Sequence, residues 1–332
     1  MDSVQTVFLL VIGSCSIVGI SVALILHSLF SDGQDVTGNT ILNFFGAALF
    51  SQLFYVIGVG GAGYLQLNEC CIALALAEQY LRMAETAWVF LMARTLHKSL
   101  KKAVTSVASS SGTHIVTLDA KPFTSPDSPH LPIIRKVMET TETPREYLES
   151  VGIGWGLPLL ALGVSLMFES NLAYKHEGQF MNETGQCWFL NSKSGIITAF
   201  LMPNYVLTMM TIKELIDSYV ITKRARNLTI SERNSNLSRL YIFLASKMQL
   251  LVCIVNTLGV VAVVTRLPIV WIIFEVISSV KGVLLAISLA CDCQFLANFD
   301  QNWQMRCRRR KRSKHDMIAS VNTGNLLNYE LL

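Results

Sequence analysis

The sequence predicts an all-α, polytopic membrane protein, a bundle of seven transmembrane helices with the N-terminus outside and the C-terminus inside. Three observations predict it. The 332 residues are 52% hydrophobic and only 15% charged, with mean hydropathy +0.44; a soluble domain carries about 25% charged residues. Seven stretches are long and apolar enough for a spanning helix, the conformation that pairs its own backbone groups where hydrocarbon offers no partner. Lys and Arg gather in alternate connections.

The first stretch, 6–30, is too long for a signal-peptide core. It has no basic segment ahead of it and no Ala-x-Ala-like site behind it, so it reads as a first span. The remaining spans are expected near 40–59, 71–97, 147–168, 196–220, 240–264 and 268–296. The second, which holds Gly46, Gln52 and Gly58, and the fourth, which starts behind Glu149, are the weakest by hydropathy.

The connections set the orientation. The segment 98–146 holds Lys98, Lys101, Lys102, Lys121, Arg135, Lys136 and Arg145, and 221–239 holds Lys223, Arg224, Arg226, Arg233 and Arg239. The tail from 297 holds Arg306, Arg308, Arg309, Arg310, Lys311, Arg312 and Lys314. The opposite connections carry only Lys175, Lys193 and Arg266. Cationic loops stay on the cytoplasmic side, so residues 1–5 are placed outside and 98–146, a long Ser/Thr/Pro-rich loop, inside.

The third span is apolar but interrupted. Glu78, Arg82 and Glu85 fall at i, i+4 and i+7, on one helical face, and Glu78 and Arg82 are spaced to pair. A charged stripe on an apolar helix belongs inside a bundle, against other polar groups or a water-filled cavity. Asn43, Gln52, Gln79, Lys213, Glu214, Asp217, Lys247, Gln249, Asn256, Glu275, Lys281 and Asp292 extend the intramembrane polar set. Ligand-cavity candidates, chosen by depth and polarity, are Glu78, Arg82, Trp188, Asn256 and Glu275. A lysine in the seventh span is also where a retinal Schiff base would sit, with Glu275 or Glu85 as counter-ion. Nothing else in the sequence reads as a light receptor, and no cofactor is expected.

On the outer side, Cys70 and Cys71 at the head of span three face Cys187 in the second outer loop, and one bridge there would staple that loop over the helix. Asn182-Glu-Thr in the same loop is an expected glycosylation site; Asn227-Leu-Thr and Asn236-Leu-Ser fall inside and are expected to stay unmodified. On the inner side, Cys291, Cys293 and Cys307 are lipidation candidates. Phe295, Leu296, Phe299 and Trp303 sketch a short interfacial helix before Arg308, Arg309, Arg310, Lys311 and Arg312, a run placed to attract anionic lipid. A nucleic-acid partner is not expected, since no basic fold accompanies the run. No HExxH, G-x-S-x-G or P-loop is present and the six histidines form no ligand cluster, so neither an enzyme nor a metal site is expected.

With those residues in place, the chain over about 10–300 resembles the seven-helix receptors of the secretin/adhesion type, with the cyclic-AMP-receptor-like proteins as relatives. The resemblance rests on Cys71 and Trp88, seventeen residues apart with Gln79-Tyr80 between, and on Cys187-Trp188 in the outer loop. It also rests on Gly154-Trp155-Gly156-Leu157-Pro158 in span four, Pro203 in span five, and Ser279-Val280-Lys281-Gly282 where the adhesion type has Ser-x-Gln-Gly. Ser51-Gln52 stands where the cyclic-AMP-receptor-like version has Ser-Asp.

The resemblance implies a Cys71–Cys187 disulfide and a signalling receptor that couples to a heterotrimeric G protein. Its inner face would comprise Arg94, His97, Lys98, Lys223, Arg224 and Lys247. Two departures stand out. Met92-Ala93 replaces the family's Glu-Gly after the tryptophan, which points to weakened or unusual coupling, and His97 replaces a usual tyrosine. Five residues ahead of the first span favour a small ligand entering the helical cavity over a hormone-binding ectodomain or tethered agonist. The competing expectations are a transporter or channel using the charged stripe as its path, and a non-signalling receptor-like protein. The plasma membrane is the default location.

Overall fold

The computed structural model describes residues 3–30, 36–61, 68–111, 144–173, 194–227, 232–265 and 267–290. All described secondary structure is helical, in seven helices: α1 (Ser3–Phe30), α2 (Val36–Gly61), α3 (Asn68–Ser111), α4, α5 (Ser194–Asn227), α6 (Glu232–Thr265) and α7 (Pro268–Ala290). Helix α4 is continuous over 144–173 but built in three parts: Pro144–Val151, a π-helical turn at Gly152–Gly156, and Leu157–Ala173. The chain divides into Met1–Ser288 and Leu289–Leu332. Only the last two residues of α7 are described in the second unit, and the helical bundle is the first.

Five of these helices are long and apolar enough to cross a membrane, over Gln5–Ser28, Gly38–Gly58, Arg145–Val164, Arg239–Thr265 and Pro268–Leu289. The chain is therefore a multi-pass α-helical membrane protein. The spans in α1 and α4 have the smallest buried share and that in α2 the largest, so α1 and α4 lie peripherally. Apolar side chains left bare along α1 (Val7, Val11, Val18, Val22, Ile25) mark a surface built for lipid.

Helix α3 reaches bilayer length but carries Glu78, Arg82 and Glu85 along its middle, too much charge to pass as an apolar span. Helix α3 has 44 residues, about 66 Å at 1.5 Å per residue. It continues well past the expected end at 97, because Lys, Leu and Ala at 98–103 favour helix in water as well as in lipid; the first part of the expected loop is thus helical. Helix α4 starts at Pro144, whose fixed φ and missing N–H suit a first helical position, with Glu146 complementing the amide dipoles of the first turn. Helix α7 opens the same way at Pro268, and the Leu267 carbonyl accepts a hydrogen bond from the Trp271 N–H at 3.2 Å.

Helix α3 occupies the centre, packing against α2, α4, α5 and α6. Every residue from Leu81 to Ala93 is buried, a run no helix with a lipid-facing side would show. A hydrophobic cluster of Tyr55, Ala75, Met83, Phe200, Val255, Ala262 and Phe274 joins α2, α3, α5, α6 and α7. Helix α1 closes on α7 at Gly282, where a Cβ would lie 2.7 Å from Ile20 Cδ1 and 2.8 Å from the Ser16 carbonyl oxygen. Only glycine permits that approach, and the Ser16 hydroxyl donates to the Ser279 carbonyl beside it.

Candidate functional site

The charged stripe of α3 is buried in the bundle and paired. Arg82 Nε donates to Glu78 Oε1 at 2.6 Å, one helical turn away, and the two side chains are 3% and 4% exposed. One turn further, Glu85 receives a second cation from another helix: Lys281 Nζ on α7 lies 2.7 Å from Glu85 Oε1, with both side chains 2% exposed. Ser51 on α2 links the pairs. Its hydroxyl accepts from Lys281 Nζ at 3.3 Å and donates to the Glu78 carboxylate at 3.4–3.5 Å. Two carboxylates, a guanidinium, an ammonium and one hydroxyl thus close a network across α2, α3 and α7.

Its surroundings on the α7 side are both aromatic and polar. The Arg82 guanidinium stands 5.6 Å from the centroid of Phe274, a favourable place for a cation. Tyr55 Oη donates to the Glu275 carbonyl at 3.2 Å, Gln52 Nε2 to the Ser279 carbonyl at 3.5 Å, and Gln5 Nε2 to Glu275 Oε2 at 3.3 Å. The next turn of α3 reaches α5, where the Thr86 hydroxyl donates to Asn204 Oδ1 at 2.8 Å while Asn204 Nδ2 donates to the Phe200 carbonyl. Charges at this depth are tolerable only when paired. The same pairing fixes the mutual positions of three helices, α2, α3 and α7.

A second constellation joins α2, α3 and α4 around the π-helical turn. A proline inside a helix clashes with the carbonyl four residues back; for Pro158 that residue is Gly154, inside the widened turn. Gly154 also faces Trp88, and a Cβ there would lie within 3.0 Å of three indole atoms. Trp88 meets Trp155 edge-on at 5.8 Å, Tyr80 stacks on Trp155 at 6.3 Å, and Tyr80 Oη donates to the Trp155 carbonyl. Trp155 Nε1 in turn donates to Asn43 Oδ1 at 3.3 Å. The Trp88 indole N–H, fully buried, has no hydrogen-bond partner among the described residues.

Of the cavity candidates, Glu78, Arg82 and Glu275 are buried together near α7, and Asn256 is half-buried on α6. Glu78 and Arg82 are engaged with each other. Trp188, Cys187 and Asn182 lie outside the described residues; Cys71 stands in the first turn of α3 with its side chain outside them. Cys15 and Cys253 are free thiols.

Of the inner-face candidates, His97 and Arg94 are half-buried, while Lys98 and Lys223 are exposed. His97 Nδ1 lies 2.6 Å from Glu214 Oε2 on α5, an ion-pair distance without the in-line geometry of a hydrogen bond. Lys247 Nζ sits 4.2 Å from the centroid of Phe243. Arg224 is within α5, its side chain outside the described residues, as are Cys291, Cys293, Cys307, Arg308, Arg309, Arg310, Lys311 and Arg312. Met92, where the resemblance to the secretin/adhesion type would place a carboxylate, is buried in the core. Among the described residues, no group of three or more His, Cys, Asp or Glu is arranged to hold a metal ion.

The sequence sets Glu85 beside Glu275 as a possible counter-ion to Lys281, and the structure pairs Lys281 with Glu85. The Glu78–Arg82 spacing is local and visible in sequence, whereas the Lys281–Glu85 contact depends on how α7 docks.

These features define a polytopic helical protein with a charged, internally neutralised core. Over residues 131–285, just under half of the chain, it matches the family described as 7 transmembrane receptor (Secretin family). The matched stretch runs from the segment before α4 to the last turns of α7, and is consistent with a seven-transmembrane receptor fold. No curated protein matches the chain.

Proposed function

We propose that this protein is a G-protein-coupled receptor for an extracellular ligand bound among its helices. The observation that carries the reading is the closed network of Ser51, Glu78, Arg82, Glu85 and Lys281, which ties α2, α3 and α7 together through polar contacts. Such a network has two defined conditions, closed or opened by a competitor. A ligand that offers Arg82 or Glu78 a better partner favours the opened state by its differential affinity for the two. The Thr86–Asn204 contact passes the change to α5, and the inner ends of α5 and α6 shift to expose a G-protein cleft.

The secretin-family match and the Lys/Arg asymmetry support this orientation and class. In the same reading Trp188, Asn256 and Glu275 complete the ligand cavity, a Cys71–Cys187 bridge holds the outer loop over it, and Asn182 carries glycan. His97, Lys223, Arg224 and Lys247 face the G protein. The tail run Arg308–Arg312 and acylated Cys291, Cys293 or Cys307 hold the C-terminal segment to the inner leaflet of the plasma membrane.

The test is nucleotide exchange on a panel of heterotrimeric G proteins by the purified chain in nanodiscs, beside solute flux in proteoliposomes. Stimulated exchange without flux is expected. Flux without exchange from any G protein would assign the charged stripe to transport instead.

A further inference from the structure

A groove lies between the lysine-bearing end of α3 and the start of α4, and the proposed receptor cycle makes no use of it. We infer that this groove binds the anionic headgroup of a membrane phospholipid. Arg94, Lys98 and Lys102 follow one another at i, i+4 and i+8, on one face of α3 that lines the groove. The opposite wall carries Glu146 and Glu149 from α4, but both have other cations within reach. Lys102 Nζ lies 4.0 Å from Glu146, and Arg145 Nε 3.5 Å from Glu149. Arg94 and Lys98 therefore face the groove with no acidic partner among the described residues.

Thr95 and Ser99 also line it and bring hydroxyl groups, while the hydroxyl of Ser150, a further lining residue, donates to the Glu146 carbonyl. A guanidinium, an ammonium and hydroxyl donors are the set that phosphate oxygens seek. The groove's other end favours a lipid over a free anion. Its wall there is Ile153, and one and two turns further along α4 stand Leu157 and Leu160, both exposed. A headgroup held by Arg94 and Lys98 has an apolar surface waiting for its acyl chains. Among the described residues the groove is lined by α3 and α4 alone, so Arg94 and Lys98 are reassigned from the G-protein face, and the site is separate in sequence from the basic run at 308–312.

The test uses the full chain in neutral detergent, with Arg308, Arg309, Arg310, Lys311 and Arg312 all changed to Gln to silence the tail. It is titrated with short-chain phosphatidylinositol 4-phosphate, with phosphatidylcholine, and with soluble inositol phosphate. Tight binding of the anionic lipid alone is expected, and R94Q/K98Q should weaken it roughly 10-fold or more. E146Q/E149Q should tighten it, an effect misfolding cannot imitate. Undiminished binding by R94Q/K98Q overturns the inference, as does inositol phosphate binding as tightly as the lipid.

Discussion

In the middle of α3, Glu78, Arg82 and Glu85 share one face and are buried; some two and a half turns on, Arg94, Lys98 and Lys102 share another and line an open groove. The spacing is nearly the same, and the surroundings differ. The middle stripe meets Lys281 and Ser51 from neighbouring helices and closes into a neutral set, whereas in the end stripe Lys102 stands 4.0 Å from Glu146, Glu149 has Arg145 beside it, and Arg94 and Lys98 meet no carboxylate among the described residues. Charge on a membrane helix is thus either neutralised internally, where it locks helices, or left unsatisfied, where it awaits a ligand. Which of the two applies depends on what the facing helices bring.

Breaking the closed stripe should have the largest effect. Lys281→Met strands the Glu85 carboxylate and should cost about 3–5 kcal/mol, whereas adding Glu85→Met should recover most of that loss, since a buried pair is often replaceable by apolar side chains of similar volume. Thermal unfolding of the two variants in one detergent checks this, and a double variant as weak as the single would remove the pair as the cause.

Next comes the contact that seats α4 on α3. Gly154→Ala drives a methyl group into the Trp88 indole and should cost about 1–3 kcal/mol, while Gly156→Ala, with no atom within 4 Å of its Cβ, should stay within about 0.5 kcal/mol. The same melting assay distinguishes them.

Thr86→Val removes the hydroxyl that donates to Asn204 Oδ1, and should cost about 1–3 kcal/mol because that buried acceptor loses its bond from α3. The smallest effect on stability belongs to the open stripe. Arg94→Gln and Lys98→Gln should each change it by less than about 0.5 kcal/mol, because neither side chain has an acidic partner to lose among the described residues. Melting in low and high salt sharpens the contrast: the Lys281–Glu85 pair is buried and poorly screened, while anionic-lipid binding at Arg94 and Lys98 should weaken as salt rises.

Much of the bundle is legible in the sequence because hydropathy is a local property. The stretches weakest by hydropathy, in α2 and α4, nevertheless pass as apolar spans, while α3 does not, because its buried face carries Glu78, Arg82 and Glu85. The Glu78–Arg82 pair is legible for the same local reason, since i, i+4 neighbours need no tertiary fold to meet. The Lys281–Glu85 pair spans 196 positions and requires the docking of α7. The end of α3 lies beyond its expected place because hydropathy detects where a helix leaves lipid, not where it stops. Trp155 and Gly154 are recognisable as a motif, but their reason, the face of Trp88 across a widened turn, exists only in three dimensions. The family likeness shows the same division. Its most suggestive residues in sequence, Cys71 and Trp88, lie outside the matched stretch, which takes in α4, α5, α6 and most of α7.

The central claim is that the buried network holds a signalling bundle in its resting state. Its most direct test is basal nucleotide exchange by the Glu85→Met/Lys281→Met double variant in nanodiscs, at the same amount of folded protein as the parent chain. With the lock removed and stability retained, exchange should rise roughly 5-fold or more, a population shift of about 1 kcal/mol toward the active state. Exchange equal to that of the parent chain across the whole G-protein panel would contradict the claim.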